Sequence, residues 1–217
     1  IIPAYNEEES LPMLYDRMKK LMENMENYEF EILFVNDGSK DKTINIIKQL
    51  RAEDKRICYV DFSRNFGKEI AMIAGLDYAT GDCVIFMDAD LQDPPELIPE
   101  LVKYWEEGYD DVYAKRKSRK GETWLKKFTS KMYYKVLQHL TRVEIQKDTG
   151  DFRLLDRRCV NALRKLRESQ RNTKSMFSWI GYKKKEVLYD RDPRIAGKTK
   201  WNYIKFCLLY TSPSPRD

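Results

Sequence analysis

Histidine is almost missing from this chain. His139 is the only one in 217 residues, which excludes any metal centre built on several imidazoles. Its place on a basic amphipathic segment favours a surface role over a catalytic one. Cysteine is sparse and unpatterned: Cys58, Cys83, Cys159 and Cys207 show no C-x-x-C spacing. The first three lie within apolar runs and read as reduced core thiols. Neither G-x-G-x-x-G nor G-x-x-x-x-G-K-[ST] occurs, which disfavours a Rossmann dinucleotide site and a P-loop. A nucleotide held here would have its phosphates neutralised through a metal. No apolar run approaches the roughly 18 residues of a membrane span, and no signal peptide precedes the first strand, so the chain as given reads as soluble or peripheral. No Gly/Ser/Pro-rich linker divides it, and one well-cored domain is the default.

What is present is globular: 42% hydrophobic and 35% charged residues describe a folded core under a heavily solvated surface. The net charge of +5 is modest, and its distribution matters more than its size. The stretch Cys83–Glu96, CVIFMDADLQDPPE, carries the most information. Cys83 to Met87 has the length and composition of a fully buried strand, and it ends on Asp88-Ala89-Asp90. Two acids at the carboxyl end of such a strand suit a hard divalent cation held together with nucleotide phosphates; a polar strand terminus before the helix opened by Pro94-Pro95-Glu96 is the plainer alternative.

The rest of the first half repeats that arrangement. Ile1–Ala4, 31–35 and 57–62 read as strands. Each is followed by a helix, with Leu11, Leu14, Met18, Leu21, Met22 and Met25 on the first, Ile44, Ile47 and Leu50 on the second, and Lys68 to Ala79 forming the third. Asp41 or Ser39 would cap the second. A further helix bears Leu97, Ile98, Leu101, Val102 and Trp105, and a fifth strand lies near 111–114. Alternating strands and helices predict an α/β domain with a mainly parallel sheet. Tyr5-Asn6-Glu7, Asn36-Asp37-Gly38 and Asp88-Ala89-Asp90 then gather along one edge of it.

The second half is composed differently. Residues 115–135 hold nine lysines and arginines against one acid, Glu122, with Leu125, Phe128, Met132, Val136 and Leu140 at helical spacing. A basic amphipathic helix with aromatics suits an anionic membrane surface; an ordinary helix with a solvated cationic face, or a nucleic-acid surface, would carry the same pattern, though no recognition motif accompanies the charge. Asp148-Thr149-Gly150-Asp151-Phe152 reads alone as a glycine turn with an Asx cap. A short strand through Leu155, a helix over 156–166 and a strand near 186–189 follow. Arg191, Arg194, Lys198 and Lys200 surround Gly197 in what is either an exposed basic loop or a lid for a diphosphate.

Both chain ends look incomplete. Ile1-Ile2-Pro3 finishes a strand whose start is missing. Cys207–Asp217 breaks the composition and resembles translated sequencing-library adapter, which leaves residues 1–206 as the domain and predicts natural sequence beyond.

Taken together, PAYNEE, VNDGSKDKT, SRNFGKE, MDADLQDPPE, DTGDFRLLDR and RIAGKTKW, in this order, resemble family 2 glycosyltransferases, and most of all the branch of bacterial undecaprenyl-phosphate glucosyltransferases and dolichyl-phosphate mannose synthases. The resemblance covers nearly all of residues 1–206. It implies a GT-A fold in one Rossmann-like domain, a nucleotide-sugar donor, Mg2+ or Mn2+, a polyprenyl phosphate acceptor and no nucleic acid. It carries Pro3, Tyr5, Glu7 and Asp37 over to the nucleoside pocket, with Lys68 near the base. Asp88, Ala89, Asp90 and Gln92 match the donor and metal site, with Asp88, Asp90 and Gln92 as metal ligands. Asp151 matches the acid often taken as catalytic, beside Asp90 and Arg194. Arg194, Lys198 and Lys200 match a loop closing on the donor diphosphate, with Thr199 where serine is usual. Arg116 and Arg119 fall, more loosely, where cations meet the acceptor phosphate. The implied activity is a metal-dependent, inverting hexosyl transfer, with UDP-glucose the favoured donor, at the cytoplasmic face of a membrane. The basic helix would dock there, and the full-length protein would be anchored by C-terminal transmembrane helices. A soluble or polysaccharide acceptor is the alternative, although the Q-x-x-R-W motif of processive polysaccharide synthases is absent. Oligomeric state has no signature in the sequence.

Overall fold

The structure is a computed structural model that describes residues 1–117, 149–166 and 173–190. Its elements, in chain order, are β1 (Ile2–Ala4), α1 (Leu11–Glu23), β2 (Ile32–Asn36), α2 (Thr43–Glu53), β3 (Ile57–Asp61), α3 (Lys68–Tyr78), β4 (Cys83–Phe86), α4 (Ile98–Glu106), β5 (Asp111–Arg116), β6 (Thr149–Asp156), α5 (Arg157–Lys165), α6 (Thr173–Trp179) and β7 (Lys184–Tyr189). The strands expected at 31–35, 57–62, 83–87, 111–114 and 186–189 are found to within two residues. Helix α6 had no counterpart in the sequence reading.

β1, β2 and β3 form a parallel sheet, and β2 is buried along its whole length, as its unbroken apolar run requires. A second sheet runs β4-β6-β5-β7. Ile1 joins the two: its N donates to Ile85 O at 2.7 Å and its O accepts from Met87 N at 3.2 Å, the pattern of a parallel bridge. β6 is antiparallel to both β4 and β5, while β5 and β7 are parallel. Among the described strands only β6 runs against the rest. It is also longer than expected. The stretch Gly150-Asp151-Phe152, which alone reads as a turn, lies within it.

Helices cover both faces. Leu11, Leu14, Met18, Ile47, Leu50, Ile98 and Leu101 pack one face from α1, α2 and α4, against Phe34, Val112, Phe152 and Leu154. Met72, Leu76, Cys159, Val160, Leu163, Met176 and Phe177 pack the other from α3, α5 and α6, against Val84, Phe86 and Leu155. Alternation along β6 sends Phe152 and Leu154 to the first face, Arg153 and Leu155 to the second. Asp156 then caps α5 by accepting from Arg158 N at 2.8 Å. Cys58, Cys83 and Cys159 are free thiols, and burial pushes the Cys83 thiol up to about 12. Lys115 and Arg116 belong to β5 and Lys117 follows it; from residue 118 on, the expected basic helix lies outside the described residues, as does His139.

One polar pair sits inside this packing. Arg153 and Asp111 are fully buried, with Arg153 Nη1 3.1 Å from Asp111 Oδ2, and the guanidinium lies 4.0 Å from the Phe177 ring centre. Burial raises the Asp111 carboxyl above its ordinary value, and Arg153 pulls the other way. Losing one partner strands the other in the core. Arg153→Met is therefore expected to lower the unfolding free energy by about 3–5 kcal/mol in urea denaturation, and Asp111→Leu in the same chain to recover part of the loss.

Candidate active site

Because β1 to β4 run in parallel, the segments after their carboxyl ends meet on one edge of the sheet. The first two are bolted to each other. Asn6 N donates to Ser39 Oγ (3.0 Å), Lys40 N to Asn6 Oδ1 (2.8 Å), Glu7 N to Thr43 Oγ1 (2.8 Å) and Lys42 N to Glu8 Oε2 (3.0 Å). Asn6 takes a left-handed φ of 53°, a conformation asparagine tolerates well. Asp41 Oδ1 accepts from Thr43 N, the first amide of α2, at 3.0 Å; the N-cap position itself falls on Lys42, so neither Asp41 nor Ser39 occupies it.

The third segment is moulded onto the second. Both oxygens of the buried Asp37 carboxylate are taken by it: Phe66 N donates to Oδ1 at 2.7 Å and Gly67 N to Oδ2 at 2.9 Å. Gly38, at φ 64°, lies under the same segment, and a Cβ there would stand 2.3 Å from the Arg64 carbonyl carbon. Only glycine permits both that conformation and that approach. Arg64 stacks 4.1 Å above the half-exposed Phe66 ring.

The fourth segment holds the acids. Asp88 Oδ1 lies 2.5 Å from Lys68 Nζ, and the same ammonium is 2.5 Å from Asp151 Oδ2. The sheet register accounts for the meeting. Phe86 pairs with Arg153 across the antiparallel β4 and β6. Two residues further along that register, past the end of β4, stand Asp88 and Asp151. Lys68 is the first residue of α3, on the face to which Phe86 and Arg153 point. Burial alone would lower its pKa, but the two carboxylates outweigh it and the net shift is upward, so Lys68 stays charged. Asp90 is buried, and its Oδ1 accepts from Gln92 N at 3.1 Å; between them Leu91 is fully buried with φ 61°, an uncommon conformation for a leucine. The buried Asp93 accepts from Tyr189 Oη at 2.7 Å, and Arg116, paired with Tyr189 in the β5–β7 register, acts on the same phenol, its cation opposing the upward shift that burial gives the tyrosine.

The structure thus places Pro3, Tyr5, Glu7, Asp37, Asp88, Ala89, Asp90 and Gln92 on three neighbouring segments, Asp151 beside them, and Arg116 at the near end of β5. Lys68, expected beside a nucleobase, has its ammonium on the two carboxylates. Arg119, Arg194, Lys198 and Lys200 lie outside the described residues. Asp93, Tyr189, Arg153 and Glu69 were not singled out from the sequence. Asp93 had a signal, being a third acid in a loop of six residues; Tyr189 had none.

Among the described residues no group of three or more His, Cys, Asp or Glu side chains converges on one point. Asp88, Asp90 and Gln92 nonetheless fit a hard cation. Their donors are oxygens, the Asp88–Asp151 pair already gathers a positive charge, and a divalent ion that arrives with a diphosphate needs only one or two protein carboxylates.

The sequence model of the family "Glycosyl transferase family 2" matches residues 1–164. A glycosyltransferase of Synechocystis is 54% identical over 205 residues, which are 94% of this chain and 64% of that protein. A prophage bactoprenol glucosyl transferase homolog of Escherichia coli is 44% identical over 202 residues, 93% of this chain and 66% of that protein. The chain spans just under two thirds of either relative. Among solved structures, the mannosyltransferase PcManGT of Pyrobaculum calidifontis, in complex with GDP-Man and Mn2+, superposes with a TM-score of 0.60 at 18% identity, covering 96% of this chain and 59% of that one. The sheet order, the edge loops and these similarities agree: the fold is GT-A, and the chain belongs to glycosyl transferase family 2.

Proposed function

We propose that this chain is the catalytic part of an inverting, metal-dependent hexosyltransferase that moves glucose from UDP-glucose to a polyprenyl phosphate at the cytoplasmic face of a membrane. The acceptor class follows from the similarity to the bactoprenol glucosyl transferase homolog. One observation supports the chemistry above the others: Lys68 brings Asp88 of the D-A-D motif and Asp151 of β6 to one point on the sheet edge, where donor diphosphate and acceptor would have to meet.

Pro3, Tyr5, Glu7 and Asp37 line the nucleoside pocket in this reading. Asp88, Asp90 and Gln92 hold Mg2+ or Mn2+ with the donor diphosphate, and Arg194, Lys198 and Lys200 close over it. When bound, the cation supplies Lewis-acid stabilisation of the charge on the departing nucleoside diphosphate. An acceptor phosphate oxygen attacks the anomeric carbon; that C–O bond forms as the bond to the diphosphate breaks, with inversion. A phosphate monoester has a second pKa of about 6, so the acceptor is already largely dianionic near neutrality and needs no strong base. Asp151 then serves to orient the acceptor, or a cation beside it, and Arg116 and Arg119 meet the acceptor phosphate.

No helix among the described residues is long and apolar enough to cross a membrane. Membrane contact is proposed for the basic segment 115–140, and anchoring for C-terminal helices of the full-length protein.

The full-length protein, incubated with undecaprenyl phosphate and labelled nucleotide sugars, is expected to transfer glucose from UDP-glucose in a reaction that EDTA stops. Transfer from none of UDP-glucose, GDP-mannose or UDP-N-acetylglucosamine would refute the proposal. Asp151→Asn should lower kcat by about 10- to 100-fold while keeping the limb near pH 6 that the acceptor phosphate sets. A general base must be deprotonated to act, so a low-pH limb that vanishes in the variant would reassign Asp151 as that base. Gly38→Ala should weaken UDP binding in calorimetry and cost about 1–3 kcal/mol of stability, because neither the φ nor the space admits a Cβ.

A further inference from the structure

Lys68 is an odd choice for its position. It opens α3, and a cation at a helix N-terminus faces the positive end of the helix dipole. Its placement is nevertheless held from both sides. The preceding Gly67 amide is fixed by Asp37, and the next side chain, Glu69, accepts from Thr173 N of α6 at 2.8 Å through Oε2. The ammonium therefore arrives between Asp88 and Asp151 from a rigid start. The two carboxylates it touches are 26% and 16% exposed, and Lys68 itself is 41% exposed, so the cluster borders solvent. Without the ammonium, two like charges would face one another at the end of an antiparallel pair.

We propose that Lys68 is a positioning residue: a resident counter-cation that holds Asp88 and Asp151 together and competes with the incoming divalent ion for Asp88. When the ion arrives with a nucleoside diphosphate, Lys68 gives up Asp88 and stays on Asp151. The diphosphate brings its own negative charge, which offsets the repulsion between ion and ammonium; a bare ion brings none. Loading of the metal is thereby made to depend on the nucleotide, and Asp151 is kept in place through the exchange. This inference deepens the proposed function, since it rests on Asp88 being part of the metal and diphosphate site.

The test reads binding, with neither sugar nor lipid present, so its outcome is separable from that of the transfer assay. Free Mn2+ is titrated by electron paramagnetic resonance against the unaltered full-length protein, Lys68→Gln and Lys68→Arg, each with and without UDP. Lys68→Gln should bind bare Mn2+ on the order of tenfold more tightly than the unaltered protein, and Lys68→Arg within about twofold of it. The advantage should disappear when Asp88→Asn is added to Lys68→Gln. A purely structural lysine predicts weaker or unchanged Mn2+ binding in a variant with native circular dichroism, and that result overturns the proposal, as does a gain that survives Asp88→Asn. Should Lys68→Gln fail to fold, 13C reductive methylation of the unaltered protein supplies the second reading. The Lys68 methyl resonance should shift when Mg2+ and UDP are added together and stay put with Mg2+ alone; no shift with both overturns the proposal.

Discussion

Five carboxylates, Asp37, Asp88, Asp90, Asp93 and Asp151, crowd one edge of the sheet, and the local structure is arranged around matching each of them. Left without donors they would repel one another and resist burial. Asp37 is matched by two backbone amides, which fixes the β3–α3 segment. Asp88 and Asp151 share the Lys68 ammonium, which fixes the start of α3 relative to β6. Asp90 takes the Gln92 amide and Asp93 the Tyr189 phenol, which ties the acidic loop to the end of β7. All but the local Asp90–Gln92 contact join segments distant in sequence, so the charge that a donor diphosphate would require is also what assembles the walls around it.

These contacts differ in energetic weight. The Lys68 pairs are open to solvent, where screening leaves an ion pair about 0–1 kcal/mol, so they serve geometry more than stability. The Arg153–Asp111 pair is fully enclosed, and its contribution lies in register. A slip of β6 by one residue would turn Arg153 away from Asp111 and Phe177 and would bury it against the aliphatic face formed with α1 and α4. The same slip would carry Asp151 off Lys68. Since Asp151 and Arg153 sit on the same face two residues apart, the buried pair holds the half-buried acid in position.

How far the sequence alone reaches follows from the same facts. Apolar runs and turn residues located β1 to β4 and their helices, and parallel connection placed Tyr5, Asp37 and Asp88 on one edge without further help. Asp151 was out of reach by that route. It lies in the first half of its strand, and it comes to the edge only because β6 runs backwards; an eight-residue strand containing glycine shows no sign of its direction. The motif DTGDF, read by itself, gave a turn, and the family resemblance was what singled out its aspartate. Lys68 had no local signal either, since its two partners lie 20 and 83 residues away. Long-range ion pairs are properties of the register, and periodicity does not encode them.

The reversal of β6 also decides what else stands near the site. With β6 antiparallel between β4 and β5, the carboxyl end of β5 falls on the same edge as Asp88, and the parallel β5–β7 pair brings Tyr189 level with Arg116. The chain thus leaves both strands at the acidic edge, carrying Arg116 at one exit and Asp190 at the other. The Asp93–Tyr189–Arg116 contacts make the two exits a single unit with the acidic loop.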